Sequence, residues 1–288
     1  LREIHLAPYL HAINAGTGSI MASYNSWNGS KLHGNQYLLT DVLKTELGFD
    51  GFIVSDWAAI DQLPGEYIDD IQQSVNAGID MVMVPANYKE FIGGLTTLVN
   101  QGKVSMDRIN DANRRILRIK FMLGLFEQPL AHEKFIPSIG SPEHRAVGRQ
   151  AVRKSLVLLK NKNLTLPLNE NAAHIHVAGK SANDLGNQCG GWSISWQGQS
   201  GQITTGTTIL QAMQKRFNGN ITYSVEGYSS EADGAQTAVV VIGETPYAEG
   251  AGDDDDLRLS GADVQAVRSL HDQGLKVVTI LVSGRPLI

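Results

Sequence analysis

An aspartate followed at once by a tryptophan, Asp56-Trp57, closes the apolar run Gly51-Phe52-Ile53-Val54-Ser55. Continuous hydrophobicity of that kind predicts a parallel strand covered on both faces, with its polar residues beginning where the strand stops. In α/β sheets that stopping point is where reactive side chains gather. A carboxylate there can act as nucleophile or base, and the adjoining indole offers a flat apolar face against which a pyranose ring stacks. Asp is also a common N-cap of the helix after a strand, so Asp56 alone leaves both readings open.

The four tryptophans narrow the choice. Trp27 lies in Tyr24-Asn25-Ser26-Trp27-Asn28-Gly29, just past a predicted strand, and Trp57 lies past the next one. Trp192 and Trp196 sit in Cys189-Gly190-Gly191-Trp192-Ser193-Ile194-Ser195-Trp196-Gln197-Gly198, too rich in glycine and polar residues for a core element. All four are expected on loops. Aromatic rings among Asn, Gln and Ser suit a sugar site, since pyranoses present apolar C–H faces and a rim of hydroxyls.

The elements that must hold these residues form two blocks. In the first, helices are predicted over Arg2 to Ala15, Asn35 to Leu47, Ile68 to Ala77 and Met106 to Phe121, with strands at Ser19 to Tyr24, Phe52 to Ser55 and Ile79 to Val84. Three consecutive βα units fit either a barrel or a doubly wound sheet. A complete (β/α)8 barrel takes about 250 residues, so a segment ending near Phe126 can supply only part of one. Pro129, Pro137, Gly140 and Pro142 mark an irregular connector. The second block has a helix through Ala146 to Leu159, strands at His174 to Ala178, Ala238 to Ile242 and Val277 to Val282, and helices at Thr208 to Phe217 and Ala262 to Leu270. The domains expected are 1–127, a connector at 128–145, and 146–288.

Composition excludes several functions. With 288 residues, 42% hydrophobic and 18% charged, the chain has the make-up of a globular protein with room for two domains. A net charge of -5 without concentrated Lys and Arg argues against a nucleic-acid partner. No stretch approaches the roughly 20 apolar residues of a membrane helix, so no membrane partner is expected. Cys189 is the one cysteine, which rules out an internal disulfide and a thiolate metal cluster. His5, His33, His174 and His176 lack ligand spacing, and Asp253-Asp254-Asp255-Asp256 lacks the calcium-loop pattern, so no metal is expected and the acidic run reads as a solvated turn. His174 and His176 are expected to point outward from one strand face, and Asp80 reads as a buried structural carboxylate. Gly179-Lys180-Ser181 lacks the glycine pattern of a phosphate loop.

Taken together, Met21 through Gly29, Gly51 through Trp57, Cys189 through Gly198 and Gly243-Glu244-Thr245-Pro246-Tyr247-Ala248-Glu249 resemble glycoside hydrolase family 3, in its β-glucan exohydrolase and β-glucosidase branch. The likeness runs along essentially the whole chain. It implies the C-terminal part of a (β/α)8 barrel followed by an α/β sandwich domain. It implies that Asp56 is the nucleophile and Glu249 the acid/base, that Trp57 and Trp196 clamp the second sugar with Trp192 beside them, and that Tyr24 and Met83 line the first subsite. Glu244, directly at a strand end, competes with Glu249 but reads better as a loop anchor. The expected substrates are β-linked gluco-oligosaccharides or aryl and alkyl β-glucosides, with no cofactor. The resemblance favours a secreted or periplasmic protein, although no signal peptide opens the chain at Leu1. Family members bind the first sugar largely through residues on the first half of the barrel, which no segment here supplies, so this chain is expected to be inactive unless it belongs to a longer product. A family 3 N-acetylglucosaminidase, whose acid would be an Asp-His pair on a barrel loop, and a noncatalytic carbohydrate-binding protein are the other readings.

Overall fold

A computed structural model describes residues 2–288. The chain divides into two compact units, Leu1–Lys154 and Ser155–Ile288.

In the first unit, strands β1 (Ser19–Met21) and β4 (Phe52–Val54) pair in parallel with Ile20 opposite Ile53, and a parallel bridge joins Val54 to Met81. The expected third strand is therefore a single bridge. Between β1 and β4, β2 (Ser26–Trp27) and β3 (Ser30–Lys31) form an antiparallel hairpin. Trp27 thus sits in a short strand rather than a loop, its ring stacked on Tyr37 at 6.0 Å. The helices are α1 (Ala7–Asn14), the π-helical Tyr37–Glu46, α2 (Tyr67–Ala77), α3 (Tyr88–Asn100), α4 (Met106–Met122) and α5 (Pro142–Ser155). Ile53 is fully buried with Leu39, Leu43, Phe49 and Ile79, whereas Phe52 and Val54 on the opposite face are half-buried. The strand is covered on one face, contrary to the reading of its apolar run, because these three parallel segments do not close into a barrel.

Helix α3 is absent from the sequence reading. Its Gly93-Gly94 pair weakens the helical signal, since glycine lowers helix propensity by about 1 kcal/mol relative to alanine. The fold uses that gap: a Cβ on Gly94 would lie 2.8 Å from Ile71 Cδ1, so a larger residue there would force the Ile71 side chain of α2 to shift.

Helix α2 also buries Asp70, 4% exposed, whose Oδ1 has no hydrogen-bond partner among the described residues. Burial, reinforced by Asp61, Asp69 and Glu66, pushes its carboxyl up to about 6. A carboxyl raised in the fold contributes stability that is fully present below its unfolded value near 4 and is lost as pH rises through about 6. Asp70→Asn is therefore expected to stabilise the chain by about 1–3 kcal/mol at pH 7.5 and by almost nothing at pH 4. Urea midpoints at the two pH values check this, and an equal gain at both would contradict it.

The second unit is a parallel four-stranded sheet in the order β6-β5-β7-β8, from β5 (His174–Ala178), β6 (Asn220–Ser224), β7 (Thr237–Gly243) and β8 (Lys276–Val282). Its helices are the short α6 (Leu185–Cys189), α7 (Ile209–Arg216) and α8 (Gly261–Asp272). Edge strand β6, with its polar Asn, Thr and Ser, escapes the sequence reading. Helix α8 packs Ala266 and Leu270 on one face of the sheet, against Ala238, Val240 and Ile242. Leu210 of α7 packs on the other, against Ile175, Val177, Val239 and Val241. Alternate residues of β7 thus serve opposite layers, as a sandwich requires. His176 does not point to solvent. It is fully buried, with Nδ1 2.8 Å from Thr222 Oγ1 and Nε2 3.1 Å from the Gly227 carbonyl. The Thr222 and Ser224 hydroxyls of unforeseen β6 and the Gly227 carbonyl together satisfy it.

Candidate active site

In the first unit, the segment leaving β4 is fixed by its backbone. The Ser55 amide donates to the Met81 carbonyl at 2.9 Å, Met83 N–H donates to Ser55 Oγ at 2.7 Å, and Ala58 N–H donates to the Met83 carbonyl at 3.2 Å. This lacing brings Asp56, Trp57 and half-buried Met83 to the tips of two adjacent parallel segments. Ala58 adopts φ +49°, a left-handed conformation that turns the chain sharply after Trp57. Trp57 is 63% exposed, its indole free for a ligand. Asp56 Oδ1 accepts the Trp57 amide at 2.7 Å, and among the described residues no hydrogen bond reaches Oδ2.

Asp56 N–H donates to Nε2 of His33 at 3.0 Å. His33 stands on the 3-10 turn Leu32–Gly34 and is buried, its ring 6.1 Å from that of Tyr24. Burial pushes the imidazole below its ordinary range, against the opposing pull of Asp56, and Lys31 pushes it lower still. Lys31 Nζ donates to the Tyr24 carbonyl at 3.2 Å and to Gln62 Oε1 at 2.8 Å. Tyr24 is linked to Asp56 through His33, which its ring flanks and to which the Asp56 amide donates. Sequence reasoning missed His33, because a single histidine between hairpin and helix carries no periodic or spacing signal.

In the second unit the loops after β5 and β7 meet. Ala248 N–H donates to Gln197 Oε1 at 2.9 Å, and Trp192 N–H donates to the Trp196 carbonyl at 2.8 Å. A Cβ on Gly191 would lie 2.1 Å from the Tyr247 carbonyl oxygen, so the two loops touch backbone to backbone. Trp192 and Trp196 are 69% and 54% exposed, with ring centroids 6.4 Å apart and tilted by 52°. Glu249 opens the 3-10 turn Glu249–Gly252 at φ +53°, with its side chain exposed. The structure therefore groups Trp192, Trp196 and the Glu249 loop within this unit.

Glu244 is engaged elsewhere. It accepts from Ser283 Oγ at 2.6 Å, Tyr247 Oη at 3.0 Å and Arg285 Nε at 2.9 Å. Burial alone would raise its carboxyl, but these hydrogen bonds hold it below the ordinary range. A carboxylate so engaged is poor as a proton donor and good as a loop anchor. Asp253 to Asp256 form an exposed turn in which Asp256 pairs with Arg258 at 2.6 Å. Among the described residues, no group of three or more His, Cys, Asp or Glu side chains is placed to hold a metal ion.

Comparison with known proteins bears on the family and the fold. The chain is 36% identical to a lysosomal beta glucosidase of Dictyostelium discoideum, matched over all of this chain and 38% of the relative. It is 30% identical to a beta-xylosidase of Formosa agariphila, over all of this chain and 43% of that protein. A crystal structure of a mutant exo-1,3/1,4-beta-glucanase from a Pseudoalteromonas species superposes with a TM-score of 0.92 at 42% identity, covering all of this chain and 48% of that one. A beta-glucosidase from Listeria innocua in complex with glucose gives 0.84 at 28% identity, covering 98% and 40%. The chain thus spans less than half the length of each of these relatives. Residues 1–119 match the glycosyl hydrolase family 3 N-terminal domain and residues 156–288 its C-terminal domain. With both domain types present in order, on a fold shared with solved members, the chain belongs to glycosyl hydrolase family 3.

Proposed function

We propose that this chain carries the two catalytic carboxylates of a retaining, exo-acting β-glucosidase or β-glucan glucohydrolase that releases glucose from the non-reducing ends of β-linked glucosides. Asp56 is the nucleophile. The observation that carries this is Asp56 itself: its backbone is pinned at the tip of a parallel strand, its Oδ2 takes no hydrogen bond among the described residues, and Trp57 stands exposed beside it. Attack on the anomeric carbon forms a glycosyl-Asp56 ester as the C–O bond to the leaving group breaks. Glu249 gives its proton to the departing oxygen and then takes one from the water that hydrolyses the ester. This double displacement requires two carboxyl groups about 5–5.5 Å apart. The role asks of the chain only that Asp56 lie in the barrel part, 1–127, and Glu249 in the sandwich part, 146–288, with 128–145 as connector. Trp57 and Trp196, with Trp192, grip the second sugar, and Tyr24 and Met83 line the first subsite.

A 2-deoxy-2-fluoro-glucosyl fluoride tests the proposal. In a protein that also supplies the first half of the barrel, it is expected to add one fluoroglucosyl group, located by peptide mass spectrometry on Asp56. Label on another carboxylate would remove Asp56 from its role, and a noncatalytic carbohydrate-binding protein would take no label. The beta-xylosidase relative supports a second substrate, a β-xyloside. Nitrophenyl glucoside, xyloside and N-acetylglucosaminide assayed side by side distinguish the three specificities.

A further inference from the structure

We infer that His33 is a positioning residue for Asp56, holding the carboxylate's backbone in place by accepting its amide hydrogen. The inference rests on the reading of Asp56 as nucleophile. The Asp56 N–H to Nε2 distance of 3.0 Å makes Nε2 an acceptor, so the neutral ring carries its hydrogen on Nδ1. On the other side of the residue, the Asp56 carbonyl accepts from Ser55 Oγ at 2.8 Å and from Ala59 N–H at 3.3 Å. The peptide groups flanking the reactive side chain are therefore held from opposite directions, and of the two holds His33 alone comes from a distant element. That element is the turn following the Trp27 hairpin. With Oδ1 occupied by the Trp57 amide, Oδ2 is the oxygen left to attack, and its direction follows from the backbone that His33 fixes.

A nucleophile held within a fraction of an ångström of its attack position gains rate, and a displacement of about 1 Å can cost about 100-fold. A histidine that merely fills the core under Tyr24 would affect stability without selectively slowing attack. Two substitutions in the full chain separate these roles: His33→Leu keeps apolar volume and loses the acceptor, while His33→Gln offers Oε1 close to where Nε2 stood. Two readouts are taken, the hydrogen exchange of the Asp56 amide and the rate constant for labelling by the fluoroglucosyl fluoride at saturation, with its half-saturation concentration. His33→Leu is expected to speed Asp56 exchange by at least about tenfold and to slow labelling by about 10- to 100-fold, with half-saturation changed by less than about threefold. His33→Gln is expected to restore both rates to within about threefold of the original protein. Labelling of His33→Leu at the original rate would overturn the inference, and so would His33→Gln being as slow as His33→Leu. If His33→Leu does not fold, the 15N shifts of the His33 ring in the unmodified protein decide: a hydrogen on Nε2 at neutral pH rules out the acceptor role. If the unsubstituted protein, with the first half of the barrel supplied, takes no label on Asp56, the catalytic reading fails and the positioning role falls with it, while the exchange data still report whether His33 holds the Asp56 amide.

Discussion

Asp80→Ala is expected to destabilise the first unit by about 3–5 kcal/mol, the usual cost of removing one partner from a buried ion pair. The Asp80 side chain is fully buried. Its Oδ2 accepts the Ile53 amide at 2.8 Å, and its Oδ1 accepts Lys44 Nζ at 2.8 Å and the Arg108 guanidinium. Arg108 also pairs with Asp111, and Arg115 joins it by reaching Asp111 and the carbonyls of Phe49 and Gly51. Removing Asp80 leaves the buried Lys44 ammonium, already pushed down to about 8 chiefly by burial, without its nearest counter-charge, and leaves the Ile53 N–H without its acceptor. Asn is a poor rescue, because an amide that turns its oxygen to Ile53 presents its N–H groups to two cations. The urea midpoint of the chain measures the loss, and exchange of the Ile53 amide localises it. A loss below about 1 kcal/mol would show the network to be no stronger than a surface pair.

Asp56→Asn is expected to lower turnover of an aryl β-glucoside by about 10⁴- to 10⁶-fold, the scale on which loss of a covalent nucleophile acts. Glu249→Gln should behave differently. Dinitrophenolate leaves without protonation, so with dinitrophenyl glucoside the first step survives in Glu249→Gln and the ester accumulates as a burst. Azide, an anionic nucleophile that requires no general base, should then speed breakdown of the ester and give β-glucosyl azide as product. Asp56→Asn should show neither burst nor azide rescue. The converse pattern would exchange the two roles, and a wild-type burst with rescue from Glu244→Gln would move the acid/base to that residue despite its three hydrogen bonds.

The sequence disclosed some parts of this structure better than others, for physical reasons. Central strand β7 carries an unbroken β-branched and apolar run from Ala238 to Ile242 and β5 an apolar run interrupted only by its histidines, because both their faces are covered, and they are legible to within a residue of their ends. Edge strand β6 pairs on one side only and keeps polar hydroxyls, so it resembles a loop. Helix α3 hides behind its glycine pair, of which Gly94 lies against Ile71 of α2. Asp56, Trp57, Trp192 and Trp196 are legible because a reactive or aromatic side chain at a strand end conflicts with simple packing. The residues that support them are not. His33, Gln197 and Ser55 act by hydrogen bonds to backbone groups distant in sequence or fixed by tertiary placement, and such contacts leave no local pattern.

The backbone contact at Gly191 has a consequence for how such proteins diversify. Because the segment bearing the indole pair and the segment bearing Glu249 lie against each other at Gly191 with no room for even a methyl group, a change in the path of either at that point must be matched by the other. A lineage that alters which saccharide it prefers at this end is thereby steered toward exchanging single side chains on a fixed frame and away from insertions. New preferences would then arise without dislodging Glu249, the proposed proton donor.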